Sequence, residues 1–432
     1  MVLLAAVPMM AAVAYGAVDF WALIPLSLFT SLIVVLWTAE SVKLGYFRFS
    51  RSPLQLPVLG LIVLGCIQLL PIGNAPVEPG LLSIPAARTL TLDPFSTGYF
   101  TIRLLLLFIF FAAALTFLNG KRRSQRIVVA IVVFGSIMAF AGILLRLTSP
   151  DAIYGMRPTP QAIPFGPFVN QHHFAAFMEM TVGLALAMLL SGTIKRDRKA
   201  LLVIALALMM IAIIMTGSRG GMLGTTAVAA FVLASGYATS RSTAPAQKGG
   251  VLKVAIAAGL VFFIAAGAAM FLSGADPLLR GLGIENRESD LTGGRLHFWS
   301  MALKIFFDHP VVGAGFDAFG VAFTRYDTWH GYFRVEQAHN DYLQMLADGG
   351  VLAFGCVAAF VYLLLRRGTG VIRSSVSPTR RTIAIGALAG CFGILVHSFF
   401  DFPLRTESNS YFFLLLAALA TVDLGDEREH AE

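Results

Sequence analysis

The sequence predicts an all-α polytopic membrane protein of about twelve transmembrane helices with one large polar loop. Composition is the first reason: 57% of the 432 residues are hydrophobic and 13% charged, against roughly 25% charged in soluble domains, and mean hydropathy is +0.77. The second is repetition. Apolar stretches approaching the ~20 residues that cross a bilayer recur near 2–17, 20–38, 55–72, 99–118, 127–147, 173–192, 200–215, 221–239, 251–273, 345–365, 382–400 and 410–423. The third is charge placement, because the short basic clusters fall on alternate connections.

Taken in order, these elements fix an expected topology. The first apolar run has no basic segment before it, so no cleaved signal peptide is expected. With the N-terminus cytoplasmic, the inner connections carry Lys43, Arg48 and Arg51, then Lys121 to Arg126, Lys195 to Lys199, Arg241 to Lys253, and Arg366 to Arg381. That is the positive-inside pattern of an even number of spans, both termini inside. The net charge of +8 thus reports topology, and no nucleic-acid partner is expected. Cys66, Cys356 and Cys391 lie within spans, which argues against a disulfide framework or zinc site. The expected organisation is helices one to nine over 1–273, a large outer loop over 274–344, helices ten to twelve over 345–424 and a cytoplasmic tail over 425–432.

The outer side is where titratable residues collect. His172, His173, His297, His309, His330, His339 and His397 all fall there, with many arginines but only Lys304 among lysines. A planar guanidinium suits bidentate binding of phosphate or carboxylate; the plainer reading pairs these arginines with outer acids such as Glu285, Glu288 and Asp290. Residues 74–98 are proline-rich and are expected to form an irregular lid or interfacial helix; the prolines of 148–171 preclude a long helix there.

Thr216-Gly217-Ser218-Arg219-Gly220-Gly221 joins two spans at the outer face, with a helix starting at about Gly220. Free N–H groups and the positive dipole end favour an anion there, and Arg219 adds a full charge. Thr292-Gly-Gly-Arg295 repeats the arrangement at the start of a helix over 296–307, whose Leu296, Trp299, Leu303 and Phe306 share a face and which ends at Asp308-His309-Pro310. Gly313-Ala-Gly315 and the glycine at 320 have the spacing of a dinucleotide loop but no βαβ unit, and are expected to form turns. His339 heads a polar helix start, sharing a face with Tyr342, Leu343 and Leu346. An imidazole, with an ordinary pKa of ~6.5, serves as a general base at neutral pH; Asp341 or Glu336 is the expected orienting acid. Glu179, an acid inside the sixth span, marks either function or a structural neutraliser of Arg103 or Arg146. His397 and Asp401 end the eleventh span, at a helix C-terminus or a wall of the site.

At these residues the chain resembles the O-antigen ligase and O-antigen polymerase family of bacterial envelope enzymes. The matching pieces are Thr-Gly-Ser218-Arg219-Gly, Gly-Gly-Arg295 with Trp299 and Asp308-His-Pro-Val-Val-Gly313, His339-Asn340-Asp341-Tyr-Leu-Gln, Gly-Pro-Phe-Val-Asn170-Gln-His-His173-Phe and His397-Ser-Phe-Phe-Asp401-Phe, over roughly residues 160–405. The resemblance implies a membrane-embedded, metal-independent, inverting glycosyltransferase without cofactor, in the bacterial inner membrane with its site facing the periplasm. It implies a glycan donor on undecaprenyl pyrophosphate and, as acceptor, lipid A–core or another glycan. By position, Arg219 and Arg295 would bind pyrophosphate and His339 would activate the acceptor hydroxyl, with Asn340, Asp341, Ser218, Asn170, His173, Glu179, His397 and Asp401 in support. The ligase pattern places a glycine ten residues after Asn340, which Gly350 meets, and a Gly, Thr or Tyr three further on, where this chain has Ala353; ligase and polymerase both stay open. A transporter or flippase of a lipid-linked saccharide is the competing expectation. It would show two repeated halves with interrupted helices and midplane charge; only Glu179 answers to that.

Overall fold

The computed structural model describes residues 2–72, 88–160, 162–192, 194–239, 295–328 and 335–422. These residues are mostly helical: α1 Val2–Val13, α2 Leu23–Leu44, α3 Gln55–Gln68, α4 Pro94–Phe117, α5 Lys121–Thr148, α6 Gln171–Leu190, α7 Arg196–Met215, α8 Arg219–Thr239, α9 Arg295–Asp308, α10 Phe319–Tyr326, α11 Asp341–Ser374, α12 Pro378–His397 and α13 Glu407–Thr421. In the second proline-rich segment, β1 Ala152–Ile153 pairs antiparallel with β2 Arg157–Pro158. The Arg157 guanidinium then forks onto Asp19 at 2.6 and 2.9 Å.

Among the described residues, eight helices (α2, α4 to α8, α11 and α12) are long and apolar enough to cross a membrane. Helices also form at the expected spans 2–17, 55–72 and 410–423, but they hold 12, 14 and 15 residues. The expected span 251–273 lies outside the described residues, as do residues 274–294 and 329–334 of the large loop. Local chemistry sets many boundaries. Asp93 accepts from the Ser96 N–H ahead of Pro94, and Ser377 from the Arg380 N–H ahead of Pro378, each a capped helix with proline in its first turn.

The centre of the bundle is α6, α8 and α12. Gly183 of α6 faces Gly386 and Gly390 of α12 so closely that a Cβ on Gly183 would lie 2.7 Å from the Gly386 carbonyl oxygen, the small-residue contact that lets membrane helices approach. Beside them α13 is buried along its whole length, as expected of its apolar run from Tyr411 to Ala420.

One break in the helices decides where the outer machinery sits. Gly350, inside α11, has φ 61° and ψ −162°, a conformation essentially reserved for glycine. The chain from Pro310 to Phe316 runs into this break. Val351 N–H donates to the Pro310 carbonyl at 2.9 Å, Ala314 N–H to Ala347 at 2.9 Å and Gly315 N–H to Asp348 at 3.0 Å. The amide of Gln68 bridges the Val312 and Asp348 carbonyls at 2.6 and 2.9 Å. Gly313 and Gly315 both have positive φ and form turns, whereas Gly320, also expected in a turn, lies in α10.

Arg405 fastens the same junction, reaching Asp317 and Asp348 at 2.6 Å each. Burial alone would lower its pKa, but the carboxylates of Asp348, Asp317 and Asp341 raise it. Its own carbonyl accepts from Arg103 at 2.6 Å, and Arg103 pairs with Glu407. Removing one partner of a buried ion pair costs about 3–5 kcal/mol. Arg405→Met is therefore expected to lower the thermal unfolding midpoint of the detergent-solubilised protein sharply; an unchanged midpoint would rule out this network as a clamp.

Candidate active site

The start of α11 is pinned to the turn that follows α12. Asn340 caps α11, accepting from the Tyr342 and Leu343 N–H groups at 3.0 and 3.1 Å, while its amide donates to the Phe399 carbonyl at 3.0 Å. Asp341 accepts from the Ser398 hydroxyl at 2.9 Å and the Leu404 N–H at 3.3 Å. His339, just outside the helix, is left with φ 51°. A non-glycine residue in the left-handed region costs of order 1–3 kcal/mol and persists only where its surroundings over-determine it. Here the Asn340 and Asp341 anchors do so.

That backbone turn delivers the imidazole to Asp401. His339 Nδ1 lies 3.2 Å from Asp401 Oδ1, and the ring packs on Phe402 and Phe298 at centroid distances of 4.8 and 6.0 Å. The histidine side chain keeps 32% of its surface accessible and the aspartate 2%. Asp401 Oδ1 also accepts from the Phe402 N–H at 2.9 Å. Its other oxygen has no hydrogen-bond partner among the described residues and faces Arg295 Nη2 at 3.9 Å. Burial would raise the Asp401 pKa, but the hydrogen bond from His339 and the charges of His172, His339 and His173 hold it well below the usual carboxylate range. An ionised Asp401 accepts from Nδ1–H, which leaves Nε2 of His339 with the lone pair.

Behind this dyad His173 of α6 and His397 of α12 are buried. His173 Nδ1 lies 2.7 Å from the Thr406 hydroxyl, with its ring against Phe402. His397 Nδ1 lies 3.3 Å from Glu179 Oε1, both side chains fully buried. The first turns of α8 rest on this pair: a Cβ on Gly220 would lie 2.6 Å from His397 Nε2, and one on Gly224 would overlap the Glu179 carboxyl. Ser218 caps α8 by accepting from the Gly221 N–H at 3.1 Å, and Arg219, its first residue, is exposed. Asn170 caps α6 through the His172 N–H at 2.8 Å.

His339, Arg295 and Asp401 therefore meet directly. The Arg219 turn is joined to them through His397, whose carbonyl accepts from Phe400 N–H at 2.8 Å within the turn leading to Asp401. Several expectations are corrected. His339 does not share a helix face with Tyr342, because the helix begins after it. The acid oriented toward it is Asp401, since Asp341 is taken up by Ser398 and Leu404. Glu179 pairs with His397 and not with Arg103 or Arg146; Arg103 holds Glu407, and Arg146 reaches the Pro150 carbonyl at 3.4 Å. Helix α9 buries Met301, Ala302 and Ile305, so Leu296 and Leu303 lie on the exposed side. The acids nearest Arg157, Arg405, Arg295 and Arg103 are Asp19, Asp317, Asp348, Asp401 and Glu407; Glu285, Glu288 and Asp290 lie outside the described residues.

Arg405 and Asp348 went unrecognised in the sequence. An aspartate within an apolar span is the signal that singled out Glu179, and it applies equally to Asp348. No group of three His, Cys, Asp or Glu side chains among the described residues is arranged to hold a metal ion.

The family model described as O-antigen ligase matches residues 202–358. That stretch contains Arg219, Arg295 and His339 and ends before Asp401. No curated protein matches the chain significantly. Over residues 202–358 the chain is thus similar to the O-antigen ligase family, and its long apolar helices fit a multi-pass membrane protein.

Proposed function

We propose that this protein transfers a glycan from undecaprenyl pyrophosphate to an acceptor hydroxyl, with His339 as general base, Asp401 as its orienting acid, and Arg295 and Arg219 on the pyrophosphate. The observation that carries the reading is the contact of His339 Nδ1 with Asp401 at 3.2 Å, with Arg295 on the other carboxylate oxygen. In the step proposed, Nε2 of His339 takes the acceptor's hydroxyl proton as the new oxygen–carbon bond forms at the anomeric centre. The bond from that carbon to the phosphate oxygen breaks on the opposite face, so configuration inverts and undecaprenyl pyrophosphate departs with the electron pair. Fixed guanidinium groups in a site of low dielectric stabilise the charge that develops on the leaving group. The site is proposed to face the periplasm and the basic connections the cytoplasm.

The decisive experiment supplies purified protein with a synthetic undecaprenyl-pyrophosphate saccharide and an oligosaccharide or lipid A–core acceptor. Release of undecaprenyl pyrophosphate with an inverted product is expected. A retained configuration would exclude a single displacement, and movement of an intact donor between leaflets without cleavage would indicate a transporter. Arg219→Ala is expected to weaken donor binding about tenfold or more, the worth of one charge-assisted hydrogen bond. Titration of a fluorescent donor analogue measures this; unaltered affinity removes Arg219 from the phosphate site.

A further inference from the structure

A second basic cavity lies at the opposite end of the bundle from His339. It encloses about 610 Å³ and is lined by Arg48, Arg51, Arg367, Thr116 and Asn119, with Thr421 and Val422 closing one side. Helix α4 connects the two ends. The Thr97 hydroxyl, near its start, donates to the Phe316 carbonyl at 2.9 Å, whereas Thr116, near its end, lines the cavity. Its 24 residues span roughly 36 Å at 1.5 Å each, more than the ~30 Å of a bilayer's hydrocarbon. The two sites thus belong to opposite membrane surfaces.

The arginines are not simply basic residues on a loose loop. The segment between α2 and α3 is held in shape on both sides. Trp37 Nε1–H donates to the Arg48 carbonyl at 2.8 Å, Ser50 N–H to the Thr116 hydroxyl at 3.2 Å, and the Gln55 amide to the Ser50 carbonyl at 2.7 Å. Phe47 and Phe49 stack on Trp37. This frame sets Arg48 and Arg51 into one cavity with Arg367 of α11. Glu40 answers Arg48 at 3.3 Å; the side chains of Arg51 and Arg367 form no hydrogen bond or ion pair with any described residue. Among the described residues, three guanidinium groups stand against one carboxylate, which makes this lining electropositive.

The geometry points to a binding site for the phosphate headgroup of an anionic phospholipid, bound by Arg51 and Arg367 on the membrane face remote from His339. Guanidinium forks match a phosphate's oxygens, and basic pockets between transmembrane helices hold anionic headgroups by this chemistry. The exposed rings of Phe47 and Phe49 in its lining suit the headgroup depth where interfacial aromatics collect. That position favours a lipid over an anion from bulk water.

The test is native mass spectrometry of the full-length protein released from nanodiscs of equal phosphatidylglycerol and phosphatidylethanolamine. The wild type is expected to retain phosphatidylglycerol preferentially. Arg51→Ala/Arg367→Ala is expected to lose at least about tenfold of that retention, while Arg122→Ala/Arg123→Ala, equally basic and outside the cavity, keeps it. Equal losses in both double variants would reduce the effect to bulk surface charge and overturn the site. Equal retention by wild type and Arg51→Ala/Arg367→Ala would also overturn it. Should the alanine pair fail to fold, Arg51→Gln/Arg367→Gln serves the same comparison. Binding of inorganic phosphate by lipid-free protein, abolished by the same pair, with no lipid preference in nanodiscs, would assign the cavity to a free anion and sink the lipid reading.

Discussion

His339→Ala is expected to abolish measurable glycan transfer while leaving donor affinity nearly unaltered. General-base assistance contributes on the order of 10²- to 10⁴-fold, and none of the side chains packed on His339 replaces it. Phe402 and Phe298 are apolar, and Asp401 is turned toward Nδ1 and the Phe402 N–H. Asp401→Asn should reproduce much of the loss for a different reason. An asparagine amide that presents N–H to Nδ1 selects the tautomer with its proton on Nε2, which cannot accept from the acceptor hydroxyl. Both variants should lower kcat with little change in KM for the lipid donor, because neither side chain is assigned to the pyrophosphate. Single-turnover transfer with a synthetic donor separates the two parameters. If His339→Ala transfers within about threefold of wild type, far less than a lost base costs, the base lies elsewhere and Asp401 has no catalytic partner.

The helices and one side of this site were legible from the chain, because they depend on local pattern. Apolar runs and the Thr-Gly-Ser-Arg turn are signals carried by neighbouring residues. The partner of His339 was not legible, because Asp401 is 62 positions away in sequence and the pairing exists only once α11 and α12 are docked. The nearer acid, Asp341, is the natural choice if His339 starts a helix; the left-handed backbone at His339 is what removes that option. A similar limit applies to Glu179. Its neighbour His397 is set by the glycine contacts between α6, α8 and α12, whereas sequence position offers Arg103 and Arg146 on equal terms. For α9, apolar residues on both sides left two possible buried faces, and packing against α10 and α11 selected Met301, Ala302 and Ile305.

Gly350→Ala should destabilise the protein by about 3 kcal/mol or more and carry activity down with it. Two costs add. The Gly350 backbone has φ 61° and ψ −162°, where a side chain is strained by of order 1–3 kcal/mol. A Cβ there would also overlap the Val311 carbonyl and lie 2.7 Å from that of Pro310, and overpacking of this kind costs typically 1–3 kcal/mol more. The same obstruction arises from the other side at Gly313, whose Cβ would fall on the backbone of Asp348 and Gly349. These contacts seat the 310–316 segment against α11, and α11 in turn sets Asn340 and the strained turn of His339. Gly355→Ala is the control, one turn further along the same helix. Its Cβ would meet nothing within 4 Å, and alanine is favoured over glycine in a helix interior by about 1 kcal/mol. Thermal unfolding in detergent and transfer activity, measured on both variants, should therefore diverge: lower stability and lost transfer for Gly350→Ala, equal or higher stability and retained transfer for Gly355→Ala. Identical behaviour of the two would mean that the break in α11 does not support the site, and that the position of His339 is set by the Asn340 and Asp341 contacts alone.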